Sequence, residues 1–201
     1  PNLNCIYGDR ASTKRVVLFG DSHAAQWFPA VDSWAKKRSY KLYVMTKSSC
    51  PAFDFGLKDL GAFKAALCNQ FRANSLKEID KLNPSLVIIG NFEHYQGLKV
   101  PKKFFDMEPS YPVIILRDTP WPNRDIPTCI TTKANCDTVK PSKFNYGTLP
   151  TFDPIPLLCD SKCPAKVDGL VAYRDQTHIT VAMAEHLATA LERKLDSLVA
   201  G

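Results

Sequence analysis

The residues of this chain that could do chemistry lie near its two ends. Gly20-Asp21-Ser22-His23 follows a short apolar run directly, and Tyr173-Arg174-Asp175-Gln176-Thr177-His178 stands just before a long amphipathic segment. Open α/β sheets present their reacting groups at the carboxyl ends of the strands, which is where Ser22 is expected. Gly20 permits a tight turn without a Cβ clash. Amides at the start of a helix can steady an oxyanion. Asp and His three residues apart on a tight turn can face the same way, so the carboxylate can fix the tautomer of the imidazole. The order Ser, Asp, His is that of other α/β-fold hydrolases. Gly-Asp-Ser alone is equally a helix N-cap, and the Asp–His pair alone is equally a cap with a surface His. Together, each at a strand-to-helix junction, they describe a nucleophile Ser22, an orienting acid Asp175 and a general base His178.

The elements that must position these groups are written in the hydrophobic pattern. Residues 15–20, 41–45, 86–89 and 113–116 are short apolar runs suited to buried strands. Residues 22–37 carry a helical rhythm interrupted early by Pro29, and Phe63, Ala66, Leu67, Phe71, Leu76 and Ile79 support a helical region within residues 56–82. Ile179, Met183, Leu187, Leu191, Leu195 and Leu198 form one apolar face of a C-terminal helix. Strands alternating with helices predict a three-layer α/β/α domain with a flavodoxin-like, mostly parallel sheet. Residues 118–156 hold seven prolines without a clear period. They are expected as a loop excursion over the active-site edge of the sheet, or as a plain surface connection. Residues 1–14 are expected as a linker remnant and 15–201 as one domain.

Length and composition bound the reading. The 201 residues, 45% hydrophobic and 23% charged, suit one well-cored globular domain. No apolar run approaches the roughly 18–20 residues needed to cross a bilayer. The chain starts at Pro1 without an initiator Met, as expected of a segment of something longer. The formal charge of +6 comes from scattered Lys and Arg, which implies solvated faces or nearness to an anionic surface rather than a nucleic-acid site.

Seven cysteines add a constraint. Proximity in sequence suggests Cys129 with Cys136, Cys159 with Cys163, and Cys50 with Cys68, leaving Cys5 over. Sequence alone permits other connectivities. Zinc is the competing use, but no pair has the C-x-x-C spacing and no His follows at ligand distance. Disulfides would place the domain outside the reducing cytosol.

Gly20-Asp21-Ser22-His23 resembles the first block of the SGNH (GDSL-like) hydrolases, and Asp175-x-x-His178 resembles their last. Gly20 through Trp27, Thr46-Lys47-Ser48-Ser49-Cys50-Pro51, Phe152-Asp153-Pro154 with Leu158-Cys159-Asp160, and Tyr173 through Thr180 point to one branch. That branch comprises the SGNH domains fused behind multi-helix membrane acyltransferase-3 proteins, which O-acetylate bacterial surface glycans. The resemblance implies acyl transfer, with acetyl the favoured group, through an acyl-serine and without a cofactor or metal. It also implies a glycan partner, a transmembrane acyltransferase domain N-terminal in the same full-length chain, and an extracytoplasmic, membrane-tethered location. The family's oxyanion hole implies the amide of Ser22 and the side chain of Asn91. No Gly stands after the second strand, so the amide of Ser48 or Ser49 would have to substitute.

Other residues complete the list of expectations. Trp121, in the proline-rich stretch, is the candidate for stacking on a sugar, and His94 is a candidate substrate contact. Trp27 and Trp34 are expected in the core, His186 on the surface, and His23 in the pocket wall or in packing or capping. Glu93 and Asp118 would be an alternative carboxylate pair for glycosidase chemistry, but nothing in their spacing favours that over chance. The rival from another class is a catalytically silent glycan-binding or scaffolding module.

Overall fold

A computed structural model describes residues 5–53, 61–93, 110–122, 124–132, 135–139 and 146–199. His94 lies outside the described residues. In chain order the first half comprises β1 (Ile6–Gly8), β2 (Arg15–Gly20), α1 (Ser22–Ala25), α2 (Phe28–Lys37), β3 (Lys41–Thr46), α3 (Gly61–Leu82), β4 (Leu86–Gly90) and β5 (Val113–Leu116). Then follow α4 (Ile126–Thr131), β6 (Thr138–Val139), β7 (Thr151–Phe152), α5 (Ile155–Leu158), β8 (Lys162–Cys163), β9 (Lys166–Val167) and β10 (Leu170–Val171). The chain closes with α6 (Val181–His186) and α7 (Ala188–Val199).

The main sheet has the order β1-β3-β2-β4-β5-β7. All of its pairings are parallel except that of β1 with β3. Numbered among themselves, the parallel strands run 2-1-3-4-5, the flavodoxin-like order. Alternate residues of β2 enter separate cores. Val16 and Leu18 pack with α1, α2, α6 and α7, while Val17 and Phe19 pack with Ile79 and, at the edge, Phe71 and Leu76 of α3. The sheet is thus the middle of three layers. Trp27 and Trp34 are fully buried, and the Trp34 Nε1 donates to Asp196 of α7 at 2.8 Å.

Several boundaries differ from those read in the sequence. The helical segment after Ser22 is two helices, because Pro29 opens α2 near its first turn. The C-terminal face is likewise divided at Leu187, although Met183, Leu187, Leu191 and Leu195 all remain buried. In α3, Phe63 is exposed; the face that reaches the core starts at Cys68. Residues before 15, expected as linker, supply β1 at the sheet edge. The proline-rich stretch is not loop throughout. It holds α4, capped by Asp125, and β7, which extends the sheet beside β5. A two-residue strand between Pro150 and Pro154 carries no period, and an edge is where such a strand is tolerated.

Three disulfides, Cys50–Cys68, Cys129–Cys136 and Cys159–Cys163, join the pairs that proximity suggested. Their six sulfurs are committed to one another, and Cys5 is exposed and unpaired among the described residues.

The ends of β2 and β4 meet at Gly20 and Gly90. Gly20 has φ +144°, and a Cβ there would lie 1.9 Å from the carbonyl oxygen of Gly90. A Cβ on Gly90 would lie 2.9 Å from the Cα of Ala24. Glycine at both positions lets α1 sit directly on the strand ends. Gly20→Ala is therefore expected to lower stability by about 2 kcal/mol or more, read as a fall in the urea midpoint with the slope retained. An unchanged midpoint would mean that the strand end can yield.

Candidate active site

Asp21 begins the site. It is the N-cap of α1, with its Oδ1 accepting from the His23 amide at 2.8 Å. Such a cap stabilises a helix start by about 1 kcal/mol. The Asp21 Oδ2 accepts from the Phe92 amide at 3.0 Å, tying α1 to the segment that follows β4. Asp21 is completely buried, and that burial raises its pKa. Ser22 is the first residue of α1, so its own amide has no intrahelical acceptor. At four residues, α1 is too short for the macrodipole to matter much; the amide itself is what it offers.

His178 reaches Ser22 from the far end of the chain. Its Nε2 lies 2.8 Å from the Ser22 Oγ, and its Nδ1 lies 2.8 Å from the Asp175 Oδ2. The loop that carries both residues is closed by an isolated bridge between Tyr173 and Ile179 and by the Arg174 amide donating to the His178 carbonyl. Asp175 Oδ1 accepts from the amides of Thr177 and His178, each at 2.8 Å. Burial opposes the charge on Asp175, but those amides and the His178 ring outweigh it and hold its carboxyl below the usual range. Gln26, at the end of α1, accepts from the Ile179 amide at 2.9 Å and so fastens this loop to the helix that carries Ser22. The sequence reading did not single out Gln26. Its place in Gly-Asp-Ser-His-Ala-Ala-Gln-Trp was the available signal.

Asn91 follows β4 and is 1% exposed. Its Oδ1 accepts from the Ala52 amide at 2.6 Å, while the buried Nδ2 finds no acceptor among the described residues. Ser49 lies in the turn after β3, at φ +58°, a conformation in which glycine is the usual residue. Ser48 beside it is exposed, and Cys50 anchors the turn to α3. Among the described residues, no hydrogen bond joins Ser49 to Ser22 or His178.

A second histidine stands next to the first. The His23 Nδ1 is 2.6 Å from the Asp118 Oδ1, both side chains being buried, and its ring centroid is 4.5 Å from that of His178. Phe92 packs on His23 at 4.7 Å, and Trp121 meets Phe92 edge-on at 5.8 Å. Trp121 therefore stands at the end of an aromatic row that starts at His178. Glu93 and Asp118 are not a pair of carboxylates facing a cleft. Glu93 accepts from the Asp118 amide and the Tyr146 hydroxyl and pairs with Arg117, while the Glu93 amide donates to Asp118. Both are spent on holding the walls of the site. Arg117 also bonds Asp153, which joins the carboxyl end of β5 to the stretch after β7.

These residues bring an alcohol oxygen, an imidazole and a carboxylate into one hydrogen-bonded line, with the Ser22 amide at the start of α1 and an Asn91 Nδ2 that finds no acceptor among the described residues. That is the equipment of nucleophilic acyl chemistry. Among curated proteins no match is found. The solved periplasmic domain of a lipopolysaccharide acetyltransferase from Salmonella ser. Paratyphi A has a TM-score of 0.67 to this chain. The two are 18% identical over 92% of this chain and 84% of that one, a likeness of fold. The family model described as the SGNH domain fused to AT3 domains matches residues 1–193. With nearly its whole length matched, the chain belongs to the family of SGNH domains fused to AT3 domains.

Proposed function

We propose that this domain moves an acyl group, acetyl in the simplest case, to or from a cell-envelope glycan through an acyl-serine at Ser22. The observation that carries this reading is the unbroken line from Ser22 Oγ through His178 to Asp175, with both links at 2.8 Å. Its setting would be extracytoplasmic, tethered to a transmembrane acyltransferase domain earlier in the full-length chain. The family's fusion to AT3 domains supports that partner, and the periplasmic acetyltransferase neighbour supports the setting and the glycan.

In the first half-reaction Ser22 Oγ bonds to the acyl carbonyl carbon and passes its proton to His178 Nε2. The carbonyl electron pair moves onto oxygen, held by the Ser22 amide and the Asn91 carboxamide, with the turn at Ser49 as the further candidate donor. Collapse breaks the bond to the donor's oxygen, which leaves with the proton from His178. In the second half a sugar hydroxyl gives its proton to His178 and attacks the acyl-serine carbonyl; the bond to Ser22 Oγ breaks, and Oγ takes the proton back from His178. Water in place of the sugar makes the same site an esterase. Asp175 holds the His178 Nδ1 proton and stabilises the imidazolium in both halves. Trp121, at the outer end of the aromatic row, would supply the flat surface for a sugar ring.

Hydrolysis of para-nitrophenyl acetate tests the reading directly. Ser22→Ala and His178→Ala are each expected to lower kcat by about a thousand-fold or more while the proteins stay folded. Equal background rates in parent and variants would remove the free-standing esterase. Full biological output from Ser22→Ala in the complete protein would favour a silent glycan-binding module instead.

Asn91→Ala separates the oxyanion from the nucleophile. It is expected to lower kcat by about a hundred-fold or more, with KM little changed, because the lost donor acts on charge that exists only in the transition state. A loss confined to KM would assign Asn91 to ground-state binding.

A further inference from the structure

Next to the Ser22–His178–Asp175 line lies a second histidine–carboxylate pair that the chemistry above leaves unused. His23 and Asp118 are 95 residues apart in sequence, yet their side chains meet at 2.6 Å and are no more than 4% exposed. Asp118 also accepts from the amides of Glu93 and Thr119, so it is held from three directions. His23 is fixed at its own end, since its amide is the one that Asp21 caps. Its ring lies 4.5 Å from the His178 ring at 34°. A buried ion pair is weak evidence for stability, because apolar residues of the same volume commonly serve a core as well or better. A pair placed in the wall behind the base calls for another reason.

We propose, building on the Ser22-centred reading above, that His23 is a positioning residue for His178: held by Asp118, it backs the imidazole plane and presents a positive charge to it, keeping His178 in the form that can accept a proton. Among the described residues, the charged and titratable groups around the two rings are these. From α1 and its cap come Asp21 and Ser22, from the His178 loop Tyr173, Arg174 and Asp175, and from the end of β5 Asp118, with Arg117, Glu93 and Tyr146 behind it. Burial opposes a charge on His23, but Asp118, then Asp21 and Asp175, outweigh it and raise the His23 pKa above its ordinary value. His178 is pushed down, first by burial and next by His23, against the pull of Asp175.

A protonated His178 cannot take the Ser22 proton, so function fails as pH falls through the His178 pKa. Lowering that pKa extends function toward acid. Taking away the His23 charge lets it rise, and the acid limb moves up with it.

The experiment follows the rate at which a fluorophosphonate labels Ser22, read by mass spectrometry across pH, in the parent, His23→Gln and Asp118→Asn. Ser22→Ala reports labelling elsewhere. Both variants are expected to lose about ten-fold more rate near about pH 5.5 than near about pH 8, an upward move of the limb by about one unit. A limb that stays at the parent's position overturns the proposal, as does a loss that is equal at every pH. A parent that shows no Ser22-dependent labelling at any pH overturns the Ser22 reading itself. Side-chain 15N NMR of the parent keeps the question open to refutation if the variants do not fold. His23 doubly protonated at about pH 7 while His178 titrates below about 6.5 supports the pair; a neutral His23 at that pH overturns it.

Discussion

The close seating of α1 on the ends of β2 and β4 governs where every other group of the site can stand. It depends on the absence of side chains at Gly20 and Gly90, where a Cβ would run into backbone. With that contact made, Asp21 can cap α1 and still reach the Phe92 amide beyond the neighbouring strand. Ser22 is thereby fixed beside the strand end from which Asn91 projects. Parallel strands in register give this position little freedom, because Gly20 pairs with Thr46 on one side and Gly90 on the other. A displacement of about 1 Å between reacting groups can cost about a hundred-fold in rate, so a rigid seat has direct chemical value.

The same seat recruits the C-terminus. Gln26 ends α1 and binds the Ile179 amide, which follows His178 by one residue. Behind that loop, α6 and α7 are held on α2 by buried Met183, Leu191 and Leu195, and by Trp34 and Arg38 bonding Asp196. The surface ion pairs here contribute little individually; the apolar face sets the position. Core packing on one side of the sheet is thus converted into the distance between His178 and Ser22. A long chain separation closes because both partners are anchored to the same two helices.

Legibility in the sequence followed the range of the interactions. The apolar runs of β2, β4 and β5 and the spacing within Asp175-x-x-His178 are local, and the structure places them within a residue or two of the expected positions. The edge strands β1 and β7 were missed because two or three residues carry no period, and the neighbouring prolines suggested a loop. The β9–β10 hairpin had a readable signal in Asp168-Gly169, both at positive φ, that was passed over. Of the site, Ser22, Asp175, His178 and Asn91 were candidates from motif and position. The partnership of His23 with Asp118 and the anchoring role of Gln26 were not visible, since each depends on contacts across 95 or 153 residues. The partners of Glu93 and Asp118, namely Arg117, Tyr146 and His23, likewise became apparent only in the fold.

Under the proposed function, acyl exchange would make unequal demands on the parts of the site. Donor and acceptor must occupy the same space in turn, while the relay to Ser22 must not move between them. The fold separates these demands physically. Ser22, His178, His23 and Asn91 are rooted in the central strand ends and in helices buried against them. Trp121 instead belongs to the segment after β5, held by the Thr138 hydroxyl donating to its carbonyl and by the Cys129–Cys136 bridge nearby. Phe92 touches the rings of both His23 and Trp121. Ring contacts are weak and broad in geometry compared with charge-assisted hydrogen bonds. Under the proposed function, the hydrogen-bonded line through His178 is held more firmly than the ring contacts that lead to Trp121.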